Sequence, residues 1–275
     1  MKGEDAAVPI APRLVAELNA HLPGAVRRGD APLVHGGRGA RLATGFAALD
    51  VALEGGLPRG QLSELTGTAS AGLTSVVQRL VGHVTAQAHV VAWIDAPDAF
   101  DPASAVAAGV DLERLLWVRP PDLATAFVAT EALLAMGGFP LVLLDASLSP
   151  ARAVSSPRRS FVAEGTRRGS YGGGARMSGA LHVWLRLARA AARSHSALVV
   201  LQHAPQRSTT SPGRDRETAS AGSAAAVRLE LRSLRMVWDR TGGMPSLLDG
   251  LVAQIVVVRN RGGRGNESRV VLELL

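Results

Sequence analysis

The chain of 275 residues is 47% hydrophobic, enough to pack one large domain or two small ones. It has a net charge of +7 and no cysteine, which excludes a disulfide framework, a thiolate zinc site and a cysteine nucleophile, and suits the cytoplasm. Glu4, Asp5, Arg13 and Glu17 interrupt the stretch where a signal peptide needs its apolar core, and no later apolar run reaches the length of a membrane span, so neither a secreted nor a membrane-integral protein is expected.

Arginine supplies almost all the positive charge, since of 30 basic residues only Lys2 is a lysine. The planar guanidinium suits phosphate and carboxylate, so nucleic acid or acidic partners fit this composition, as does the codon bias of a GC-rich genome. At the start, Leu14, Leu18 and Leu22 recur at helical spacing before Pro23. "GAVRRGDAPLVHGGRGA" follows without periodicity and reads as a linker. The expected division is therefore 1–40 as N-terminal helix and linker and 41–275 as the compact domain.

From Arg41 onward, short apolar runs alternate with helical patterns: "QLSEL" then "TSVVQRLVGHVTAQA", "VVAWI" then "DPASAVAAG", "LLWV" then "DLATAFVATEALLAM", "PLVLL", and "HVWLRLARAAARS" before "ALVVL". Buried strands separated by helices predict an α/β, doubly wound parallel sheet covered on both faces. In the last of these helices Arg186, Arg189 and Arg193 share one face, opposite an expected buried stripe of Leu181, Trp184, Leu185 and Ala188. The tail, "VRLELRSLRMVWDR" and "LVAQIVVVRNRGGRGNESRVVLEL", alternates apolar and polar residues and predicts antiparallel strands, making the sheet mixed. Two segments, 150–179 and 203–224, resist assignment, and long Gly/Ser/Arg stretches inside a domain are usually functional or disordered.

"GTASAGLTS" lies between a strand and a helix, with Gly67, Gly72 and Thr74 placed as in the phosphate-binding pattern G-x-x-x-x-G-K-[ST] and Ser75 following as a further candidate. In a working loop the backbone N–H groups and helix N-terminus cradle phosphates, the hydroxyl after the lysine binds magnesium, and the lysine reaches the β- and γ-phosphates. Leu73 occupies the lysine position. No other lysine in the body of the chain can replace it. Losing such a contact, about 2–3 kcal/mol, weakens nucleotide binding by roughly 30- to 150-fold. No Ser/His/Asp set or carboxylate pair is legible, and the seven histidines show no metal-binding spacing. A turn that merely needs small residues would look the same at 67–72.

Further residues stand in order along the chain: Thr44–Gly45, Leu49–Asp50, Gly56–Leu57–Pro58 and Gly60 before the loop, then Ile94–Asp95–Ala96, Asp101–Pro102 and Gly109–Val110–Asp111 after it. "LVLLD" ending at Asp145, "ALVVLQ" ending at Gln202 and "VVVRNR" follow. In these positions the chain resembles the ATPase core of RecA recombinases. The resemblance implies a RecA-like P-loop fold, with Asp145 on the Walker B strand and Gln202 at the γ-phosphate-sensing position. The carboxylate that positions the attacking water in that family falls here on Pro97, which can neither orient water nor accept its proton, with Asp98 next to it.

The resemblance also places 150–179 and 203–224 at the family's two DNA-binding loops. The first holds six arginines against Glu164, and Arg158, Arg159, Arg167, Arg168 and Tyr171 are its candidate contacts to single-stranded DNA. Arg259 and Arg261 fall where a basic pair reaches the ATP of a neighbouring RecA subunit, making them candidates for a RecA interface; a solvated hairpin edge would carry the same residues. A RecA-like core with a damaged ATPase site and a short N-terminal extension resembles the ImuA family. That implies a non-hydrolysing adaptor in damage-induced translesion synthesis, with RecA, an ImuB-type Y-family polymerase homologue and single-stranded DNA as partners. No cofactor is required on this reading, and weak binding of ATP and magnesium stays open. So do two alternatives, a DNA-dependent ATPase with an atypical loop and a SulA-type cell-division inhibitor.

Overall fold

In "LVLLD" apolar side chains alternate to both sides of a strand, so both sides need cover. The computed structural model describes residues 40–68, 70–147, 174–203, 221–239, 247–263 and 268–274, all within the compact unit Gly39–Leu275. Two short strands, β1 (Arg41–Leu42) and β2 (Leu57–Pro58), pair antiparallel on either side of helix α1 (Ala47–Ala52).

The main sheet is built from β3 (Leu62–Gly67), β4 (Val91–Asp95), β5 (Leu115–Val118), β6 (Leu141–Asp145), β7 (Ala197–His203), β8 (Val227–Asp239), β9 (Leu247–Asn260) and β10 (Arg269–Leu274). Their order is β10-β9-β8-β3-β7-β6-β4-β5. From β8 to β5 every pairing is parallel, and β9 and β10 add antiparallel at one end. The mixed sheet matches the order of patterns in the sequence.

One face packs on α1, α2 (Leu73–Ala86) and α3 (Pro102–Ala107); the other packs on α4 (Leu123–Met136) and α5 (Gly174–Ser194). Within β6, Leu141 and Leu143 join the first core while Val142 and Leu144 join the second. Asp122 caps α4, its carboxylate accepting from Thr125 N at 2.7 Å, and Asp101 caps α3 in the same way through Ser104 N at 2.9 Å.

The buried stripe of α5 differs from the expected one. Trp184, Leu187, Ala190 and Ala191 are buried, whereas Leu181 and Leu185 are exposed and Ala188 is half-buried. Trp184 sets the rotation by meeting Phe127 of α4 edge-on at 5.0 Å. The small Ala190 and Ala191 then lie on the second core. Arg186 on the outer face pairs with Glu131 of α4. The N-terminal segment 1–39 and most of 150–179 and 203–224 lie outside the described residues.

Candidate nucleotide site

Six parallel strands end on one edge of the sheet, the place where open α/β sheets gather ligand-binding loops. β3 ends at Gly67, where an added Cβ would lie 3.3 Å from Leu231 O and 3.4 Å from the Ala71 side chain. Ala71 is buried, and its N–H turns back to Thr68 O at 3.1 Å. Gly72 caps α2 in the left-handed conformation, φ 87°, with no side-chain bond to the helix. Any Cβ there would lie 2.7 Å from both Leu251 of β9 and Leu274 of β10. Glycine is thus required at 72 by packing as well as by φ.

Leu73, the first residue of α2, is 4% exposed and belongs to the core beneath the helix. Thr74 and Ser75, next along, are exposed on the first turn. The loop therefore keeps a glycine-capped helix N-terminus and two hydroxyl residues, while the position that pattern reserves for an ammonium fills the apolar core.

Register carries the remaining site residues along the same edge. Thr66 is paired with Gln202, Leu201 with Asp145, and Asp145 with Asp95. The Gln202 amide oxygen accepts from Ala221 N at 3.4 Å, tying β7 to the 3-10 turn Ala221–Ser223. Asp145 accepts from Ser147 N at 2.9 Å. Burial pushes its carboxyl above the ordinary range; the Ser147 hydrogen bonds oppose that, the charge of Asp95 adds to it, and His203 lowers it again.

The loop after β4 is held by Asp95, which is fully buried. Its carboxylate accepts from Ala99 N at 2.9 Å, Phe100 N at 3.0 Å and Trp117 Nε1 at 3.2 Å. Phe100 packs between Trp93 and Trp117, with ring centroids at 4.7 and 5.0 Å. Pro97 sits inside this clamp. Asp98, in the left-handed region at φ 59°, directs its carboxylate to Arg119 Nε at 2.6 Å. Arg119 in turn lies over Trp117, 5.0 Å from the ring centre.

Arg259 donates to Gly222 O at 2.6 Å and Arg261 to Ser223 O at 3.0 Å. Both brace the turn that Gln202 holds from the other side. Burial, with the Arg259 charge second, lowers the pKa of Arg261. The candidates Arg158, Arg159, Arg167, Arg168 and Tyr171 lie outside the described residues. Sequence reasoning missed the Asp95 clamp, the Asp98–Arg119 pair and the proximity of His203 to Asp145, none of which has a spacing signature. It also missed Glu64, fully buried on β3 and paired with Arg228 of β8 at 3.0 Å.

Among the described residues no group of three or more His, Cys, Asp or Glu side chains could hold a metal, and no helix is long and apolar enough to cross a membrane. The chain is 32% identical over 228 residues to Protein RecA of Herpetosiphon aurantiacus, an alignment spanning 79% of this chain and 58% of that protein. It is 30% identical over 228 residues to Protein RecA of Picosynechococcus sp., spanning 81% of this chain and 61% of that one. The crystal structure of the RadB recombinase has a similar fold, with a TM-score of 0.56 at 20% identity over 84% of this chain and 94% of that one. The RecA N-terminal domain family matches residues 38–261. The chain belongs to that family.

Proposed function

We propose that this RecA-family chain is a non-hydrolysing adaptor of the ImuA type, acting in DNA-damage-induced translesion synthesis. The observation that carries this reading is Leu73, placed by the loop pattern where a phosphate-grasping lysine belongs and buried in the core instead. Two features support it. Pro97 replaces the water-positioning carboxylate, and the neighbouring Asp98 is committed to Arg119. The glycine-capped N-terminus of α2, with Thr74 and Ser75 exposed, suits a phosphate, so weak ATP and magnesium binding through Thr74 and Asp145 is compatible with the adaptor role. Those same exposed hydroxyls favour the second reading, a DNA-dependent ATPase with an atypical loop.

An adaptor acts by contact, so the test is retention of purified partners. The immobilised chain should retain RecA and an ImuB-type polymerase homologue, but not the cell-division tubulin homologue a SulA-type inhibitor would bind. Retention of RecA should depend on its nucleotide, ATP above ADP, and should fall in Arg259→Ala/Arg261→Ala. Retention of neither partner refutes the adaptor. RecA binding unchanged in the double variant places the interface elsewhere on the chain.

A further inference from the structure

β10 stands at the end of the strand order and pairs antiparallel with β9 from Arg269↔Val256 to Leu274↔Leu251. Val257 N donates to Ser268 O at 2.8 Å, one step beyond the first of these pairs. Bonded and unbonded residues alternate along an antiparallel ladder, so Ser268, Val270, Leu272 and Leu274 turn their backbone groups toward β9. Arg269, Val271 and Glu273 turn theirs outward. The same three side chains are exposed, Val271 at 54%, while Val270, Leu272 and Leu274 are buried. An edge of this kind is a template for another strand.

The order of the three residues says which strand. We propose that β10 pairs with β10 of a second copy of this chain, antiparallel about a two-fold axis at Val271. Val271 then faces Val271 of the second copy, and Arg269 of each copy faces Glu273 of the other. Each of these pairs exchanges both outward backbone bonds, and opposite charges lie directly across from one another. Sliding the register by one two-residue step either way sets a charge against valine, and sliding it further sets Arg269 or Glu273 against itself. The interface is isologous, as a two-fold dimer requires.

Among the described residues, none occupies the place of the second strand. An open groove of about 600 Å³ lies along the edge, lined by Ala47, Ala48, Val51 and Ala52 of α1 and by Arg269 and Val271 of β10. The three alanines leave that side of the edge uncrowded. Val51 is 79% exposed at the groove, and the two-fold puts both copies of α1 on the same face of the joined sheet, flanking the junction. This pairing is independent of the adaptor reading.

The test is sedimentation equilibrium of the 275-residue chain over a concentration series, with circular dichroism to confirm folding. The unmodified chain is expected to dimerise. Arg269→Glu or Glu273→Arg sets like charges together twice in each dimer and should weaken association by about ten-fold or more. The double swap Arg269→Glu/Glu273→Arg restores opposite pairs and should recover it. A chain that stays monomeric, a dimer that neither single reversal weakens, or a double swap as weak as the singles overturns the proposal.

Discussion

Leu73 contributes burial at the position where its loop pattern calls for charge. Replacing it by lysine removes an apolar side chain from beneath α2 and forces an ammonium toward the loop, so Leu73→Lys/Pro97→Glu should lose about 2 kcal/mol of stability in urea unfolding. The same variant should gain ATP affinity in calorimetry before it gains turnover. A variant as stable as the unmodified chain would contradict the core role of Leu73. Asp145 gives a second test through pH. Its folded carboxyl is raised by burial, so its contribution to stability is full below the unfolded carboxyl range and falls away as pH rises through the raised value. Asp145→Asn keeps an acceptor for Ser147 N and abolishes the titration. The melting temperature of the unmodified chain should therefore decline relative to the variant as pH rises from about 4. A difference independent of pH would show that the carboxyl titrates alike in the folded and unfolded chain, and would contradict the upward shift.

At the scale of elements, the loop after β4 depends on one carboxylate. Asp95→Ala leaves the N–H groups of Ala99, Phe100 and Trp117 without their acceptor, and should cost about 3 kcal/mol or more by chemical denaturation. Asp122→Ala removes only a cap and should cost about 1 kcal/mol by the same measurement. From β3 onward most strands and helices were legible because apolar runs and helical spacing carry distinct periods, whereas β1, α1, β2 and the first turns of α5 were not. The rotation of α5 was not, since Leu181, Leu185 and Leu187 offer equivalent stripes until Trp184 meets Phe127. β9 holds a subtler case. Arg228 faces Arg259 while Leu229 faces Val257, so Val258 is extra and strict alternation breaks there. Simple alternation would put Arg259 on the face of Val257, which lies in the core against α2. The bulge turns it toward the carbonyl of Gly222 instead. Of the site, the loop glycines and Leu73 were visible as a motif. The bonds that commit Asp95 and Asp98 were not, because they fold a loop back on its own strand end and reach Trp117 and Arg119 about twenty residues on, with no motif spacing.

At the scale of the molecule, among the described residues, helices cover both faces of the parallel half of the sheet but only the α1–α2 face of the antiparallel end. β8 pairs with β3 only over Val227–Leu231 and then continues against β9 alone to Asp239↔Leu247, leaving Leu234, Met236 and Trp238 exposed. Among the described residues these three side chains form an apolar strip at the antiparallel end of the sheet. Any DNA binding should be non-specific and salt-sensitive, resting on arginines without a base-reading element. Arg158, Arg159, Arg167 and Arg168 replaced together by alanine should flatten the salt dependence; an unchanged slope would put the contacts elsewhere. The absence of hydrolysis is the central claim, and it is tested most directly by steady-state ATP turnover with magnesium and single-stranded DNA at saturating nucleotide. The expected result is no turnover above a protein-free control, with or without DNA. DNA-stimulated turnover that disappears in Thr74→Ala would contradict it.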